Sequence, residues 1–133
     1  MLFRSENVTV QLSGLGAQFD YVFDLEDYYG DIKTIVFRNV RDGLANGSNH
    51  GFSVQAAYVS DDGIKWTKVN GSLSGARVPG APDIKNTPYD TAKIEHFNFT
   101  YRLNRPARGR YVKLSISPNV GSVIQLEEIE IWN

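Results

Sequence analysis

The chain has 133 residues, of which 41% are hydrophobic and 22% charged, with a formal net charge of −1 and no cysteine. That length is one domain with enough interior to fold unaided, and the missing cysteine excludes disulfides, thiol nucleophiles and thiolate metal sites. The near-neutral balance lacks the basic footprint of phosphate-backbone binding, which speaks against nucleic acid, and no run reaches the ~18 apolar residues of a membrane span.

Residues 1–6, MLFRSE, do not form the basic-then-apolar opening of a secretion signal. Strands are expected at 8–12, 21–25 and 32–38, followed by a polar connection over 39–51, NVRDGLANGSNHG. Phe52, Val54, Ala56 and Tyr58 then alternate as a strand over 52–60. Ser60-Asp61-Asp62-Gly63 reverses the chain into a partner strand at 65–69, because glycine takes the positive φ that a tight reversal needs.

The segment 70–93 carries Pro79, Pro82 and Pro88 and reads as a second long loop without a strand. Strands return at 94–103, 110–116 and 123–132. The clearest alternation sets Phe97, Phe99, Tyr101 and Leu103 on one face against His96, Asn98, Thr100 and Arg102 on the other. One dry and one wet face per strand is the requirement of a sandwich. No segment holds a helical period. The expectation is an all-β chain forming a single two-sheet antiparallel β-sandwich, or jelly roll, over 1–133.

The order YVFDLEDYYGDIKTIVF, a polar loop, then SVQAAYVSDDGIKW resembles the discoidin or coagulation-factor type C domain. More broadly it is similar to the galactose-binding-like sandwiches, including family-32 carbohydrate-binding modules. Asp24-Leu25 matches the aspartate-leucine step that ends a core strand, and 32–37 matches the apolar strand after it. Ser60, Asp62, Gly63 and Trp66 match a Ser-x-Asp-Gly hairpin with its Trp. Residues 109–114, GRYVKL, and 126–131, LEEIEI, match two later strands. The first twenty residues lack the Asp-Gly and Trp with which such domains open. That departure implies either a divergent first strand or a module taken from a longer, multidomain protein.

The resemblance implies a non-catalytic, secreted or cell-surface module, appended to a catalytic domain, that holds a glycan in the loop before the hairpin. Arg41 and Asn46 (followed by Gly47) fall in that loop and are its site residues by resemblance. Arg38 and His50 join them on chemistry, since a guanidinium, an amide and an imidazole match vicinal hydroxyls with planar donors and acceptors. Glu128 matches a structural-calcium ligand of related modules, although calcium wants six to eight oxygens.

Trp66 is expected to pack in the core or against the hairpin, since a strand Trp near a turn usually buries, and Trp132 to close the last strand. A rival reading is a discoidin-like adhesion domain for protein or lipid head groups, to which Val40, Leu44 and the Arg105, Arg108, Arg110 cluster are suited; another is a structural spacer. An enzyme is not expected. The two histidines accompany no nucleophile elbow, and the Asp42-Gly43 and Asn46-Gly47 pairs precede no helix that could cradle phosphate.

Overall fold

In the computed structural model, residues 1–5, 10–12, 18–42, 52–77, 96–118, 124–126 and 128–133 are described, and every regular element among them is a strand. In chain order these are β1 (Phe3–Ser5), β2 (Val10–Leu12), β3 (Phe19–Asp42), β4 (Phe52–Ser60) and β5 (Thr67–Val69). They continue with β6 (Gly71–Arg77), β7 (His96–Pro118), β8 (Ile124–Leu126) and β9 (Glu128–Trp132).

Two long strands organise the sandwich. β3 and β7 run antiparallel from Phe19↔Ile116 to Arg41↔His96, and each turns from one layer into the other midway. The second half of β3 and the first half of β7 form one layer, flanked by β9 and β1 on one side and by β6 on the other. The first half of β3 and the second half of β7 form the opposite layer, extended by β4 and then β5. β8 pairs with the end of β3 and carries β2. This is an antiparallel β-sandwich, as expected.

The turn between layers has a local cause. Register breaks fall at Asp24/Tyr29, Tyr29/Ile32 and Ile32/Thr34, and such bulges bend and twist a strand enough for it to change sheets. Glu26 sits there at φ 67°, a left-handed conformation steadied by its N–H donating to Asp24 Oδ1 at 2.8 Å.

The alternating residues meet between the layers. Ile35, Phe37, Ile129 and Ile131 come from one layer, and Ala57, Val112, Leu114 and Ile116 from the other, all at or near zero exposure. The Phe3 and Phe23 rings, one from each layer, lie 5.4 Å apart. The alternation expected in β7 holds: Phe99, Tyr101 and Leu103 are buried and Phe97 packs against the same core.

Boundaries differ from the sequence reading where polar residues hid a continuous strand. Residues 21–25 and 32–38 belong to one strand, as do 96–103 and 110–116, because pairing with a neighbour carries the backbone through the bulges. Within the strand expected at 123–132, the described residues form β8 and β9. The segment expected as a strandless loop from 70 opens with β6, whose Gly71 and Gly75 lower strand propensity yet sit beside Arg102 and Phe99 where a side chain would collide. Val10–Leu12 does pair into the sheet, through β8.

Register also defines two ends. Ser60, Tyr111, Asp24 and Thr34 mark the corner end, where β3 and β7 change layers. Phe52, Pro118, Phe19, Arg41 and His96 mark the opposite end.

Candidate functional site

The residues that carry the family resemblance interlock at the corner end. Arg110 donates from Nε to Asp24 Oδ1 at 2.8 Å and from Nη2 to Asp24 Oδ2 at 2.9 Å, a two-pronged pair joining β7 to β3 where both bend. The Arg110 hydrogen bond, with help from the Glu26 N–H, holds the Asp24 carboxyl below the usual carboxylate range.

Beside this pair, Ser60 Oγ accepts from Gly63 N at 2.9 Å and donates to Asp62 Oδ1 at 3.0 Å. The same Asp62 oxygen accepts the N–H groups of Ile64 at 2.8 Å and Lys65 at 2.9 Å, and these bonds depress its pKa. Gly63 takes φ 76°, and the Tyr111 ring lies against it. Gly109 passes so close to Ser60 that a Cβ there would stand 2.9 Å from the Ser60 carbonyl oxygen. The motif is therefore a corner brace. Its residues are spent on turns and close approach.

Trp66 stays out of the core. Its ring and that of Tyr58 hold the Lys113 ammonium at 4.5 Å and 4.6 Å from their centroids, on the outer face of β4 and β7. That is packing against the hairpin and its neighbour strand, by a cation rather than by apolar burial.

The expected site residues divide between places. Arg38 donates from Nε to Glu130 Oε1 at 3.0 Å, and Trp132 Nε1 donates to the same oxygen at 3.2 Å. The Glu130 side chain is only 7% exposed, whereas Arg38 keeps 40% of its side chain in solvent. Arg41 lies at the end opposite the corner, where its backbone pairs with His96 on one side and Gln125 on the other. Gln125 in turn pairs with Gln11, so Gln11, Gln125, Arg41 and His96 form one row across four strands. Asn46 and His50 lie outside the described residues, between Asp42 and Phe52, which both stand at that same end. Leu44, offered for an adhesive tip, is likewise outside them, and Val40 is buried in the core.

Glu128 accepts the Arg4 guanidinium. Among the described residues no three acidic or histidine side chains converge as a metal would require. Three acids of β3 are engaged elsewhere: Asp20 accepts the Ser115 hydroxyl at 2.5 Å, Asp24 holds Arg110, and Asp27 accepts the Tyr28 N–H at 2.8 Å.

Sequence reasoning missed a cleft at the corner end. It has a volume of about 780 Å³, with walls built by the 60–65 turn, β5 and the bend of β7. Lys65, Lys68, Arg105 and Arg108 line it, together with Tyr28, Asn70 and Asn104. The Arg105, Arg108, Arg110 cluster was a visible signal. What the sequence could not show is that Asp24 takes Arg110 away while a distant hairpin supplies two lysines.

No family model matches the chain, and no curated protein matches it. Four solved chains are similar in structure. CpGH89CBM32-6 produced by Clostridium perfringens aligns at 17% identity and a TM-score of 0.47, covering 92% of this chain and 75% of its own. The C-terminal domain of a chitobiase from Bacteroides fragilis aligns at 15% identity and a TM-score of 0.42, covering 88% and 66%. CBM32-1 from a family 31 glycoside hydrolase of Clostridium perfringens aligns at 17% identity and a TM-score of 0.38, covering 94% and 75%.

Proposed function

We propose that this domain is a non-catalytic carbohydrate-binding module that holds a glycan at the end opposite the corner. The observation that carries the reading is the cross-strand row Gln11, Gln125, Arg41 and His96, set at the edge from which residues 43–51 depart. The backbone register sets these four residues side by side, and amide, guanidinium and imidazole are the groups whose donors and acceptors suit neighbouring sugar hydroxyls. Asn46 and His50 in the adjoining segment complete the set. Arg38, three residues before Arg41 in β3, adds the part of its guanidinium that Glu130 leaves exposed.

Binding of this kind is equilibrium capture. The module does no bond chemistry. It raises the local concentration of glycan for a catalytic domain of the same secreted or surface protein. A glycan array, run with calcium present and absent, tests the reading. Replacing both Arg41 and Asn46 by Ala should abolish the array signal while leaving Tm unchanged, and retained binding in that double variant overturns the site.

A further inference from the structure

The cleft at the corner end has a charge pattern that the brace beside it does not explain. Arg110 is neutralised by Asp24, and Lys113 rests between two aromatic rings. By contrast, none of Lys65, Lys68, Arg105 and Arg108 has an ion pair among the described residues. Two acids, Asp61 and Asp62, share the lining, and Asp62 Oδ1 is already occupied by Ser60 and by the N–H groups of Ile64 and Lys65. The cleft is therefore net positive in a chain whose overall charge is −1. Cations gathered around a concave wall focus their field on what enters it.

The cleft is also pre-formed. Asn104 N donates to the Asn70 carbonyl at 2.9 Å, tying the bend of β7 to the junction between β5 and β6. Ala107, paired with Ile32 and 7% exposed, lies in the lining between the two arginines. The lining also includes three residues with neutral hydrogen-bonding side chains, Tyr28, Asn70 and Asn104. A pocket mixing four cations with hydroxyl and amide groups suits a ligand that mixes anionic groups with hydroxyls.

We propose that this cleft is a second binding site, separate from the row at Arg41, and that it takes an acidic oligosaccharide bearing carboxylate or sulfate groups. Lys68, Arg105 and Arg108 hold the anionic groups, and Tyr28, Asn70 and Asn104 meet the hydroxyls. Ile64, beside the lining residues Asp62 and Lys65, is 80% exposed and is the residue a membrane would meet first.

The test is calorimetric titration of this chain with tetragalacturonate as the carboxylate source, a heparin tetrasaccharide as the sulfate source, and cellotetraose as the neutral control. Binding of at least one acidic probe with none of cellotetraose is expected, and the probe that binds identifies the anionic group. Affinity should fall on the order of tenfold or more from about 10 mM to about 1 M salt, as the Debye length contracts from about 30 Å to about 3 Å. The triple variant Lys68→Gln, Arg105→Gln, Arg108→Gln should lose binding at unchanged Tm, and if its Tm falls, the single variant Arg108→Gln serves instead. The Arg41→Ala, Asn46→Ala variant should bind the acidic probe normally, which separates this site from the one proposed above. Equal binding of cellotetraose and the acidic probes by the Arg41→Ala, Asn46→Ala variant, or full binding by the charge-removed variant, overturns the proposal. So does binding only to phosphatidylserine vesicles that Ile64→Ser abolishes, since that outcome assigns the cleft rim to a membrane.

Discussion

Replacing Arg38 by Met would remove the guanidinium that faces Glu130 while keeping most of the apolar stem. The Glu130 carboxylate, 7% exposed, would then retain only the Trp132 indole N–H on the oxygen that now accepts two donors. Removing one partner of a wholly buried pair costs about 3–5 kcal/mol, and losing a hydrogen bond to a charged group costs about 1.5–3 kcal/mol. Arg38 is 40% exposed, so water reaches one side of the pair and the lower range applies. The expected loss is about 2 kcal/mol, equivalent to a Tm drop of roughly 6–10 °C for a domain of this size.

Urea unfolding followed by far-ultraviolet circular dichroism measures it, with the slope checked for constancy so that a midpoint shift reports stability. The companion variant Arg38→Met with Glu130→Leu removes both charges and should recover most of the loss, because replacing a buried pair by apolar groups of similar size is often neutral or stabilising. An unchanged midpoint for Arg38→Met would refute the reasoning, as would a double variant less stable than the single one. In either case the pair would not be holding β3 to β9.

The Asp62 carboxyl is held below its ordinary range by the Lys65 and Ile64 N–H groups, so it adds stability above about pH 4 that is lost as pH falls through its depressed value; Asp62→Asn should flatten the acid limb of a Tm–pH profile, and an unaltered limb would show that the turn does not use the charge. Asp24, lowered first by the Arg110 hydrogen bond, acts in the same direction, so Asp24→Asn should likewise shrink the acid-induced Tm loss. Gly63→Ala, at φ 76°, should cost about 1 kcal/mol in urea unfolding, and Gly109→Ala about 1–3 kcal/mol because its Cβ meets Ser60 backbone. Leu114→Ala, at zero exposure, should cost about 3 kcal/mol by the same measurement, and a loss under about 1 kcal/mol would mean the layers close over the gap.

Much of the sandwich was legible because a half-buried strand writes its period into the chain. Phe97, Phe99, Tyr101 and Leu103 alternate for a physical reason, and the structure packs them against one core. Asp62 and Gly63 likewise announce their turn, Asp62 by accepting the Ile64 and Lys65 N–H groups and Gly63 by taking a positive φ that few other residues accept. The strand β6 was illegible for the opposite reason. Its glycines weaken local propensity and are required only because Arg102 and Phe99 approach from β7.

The site shows the same division. From the sequence by itself came the fold class, the hairpin and the polarity of 39–51, all local properties of pattern and composition. Tertiary structure alone decided which cations meet a carboxylate among the described residues. Arg105, Arg108 and Arg110 look alike in one dimension, but the corner brings Asp24 to Arg110 and sets the other two with Lys65 and Lys68 in the lining of one cleft. It likewise set Arg38 on Glu130 and placed Arg41 in a row with Gln11, Gln125 and His96. Charge partners come from strands far apart in the chain, and only the register of β3 and β7 brings them together.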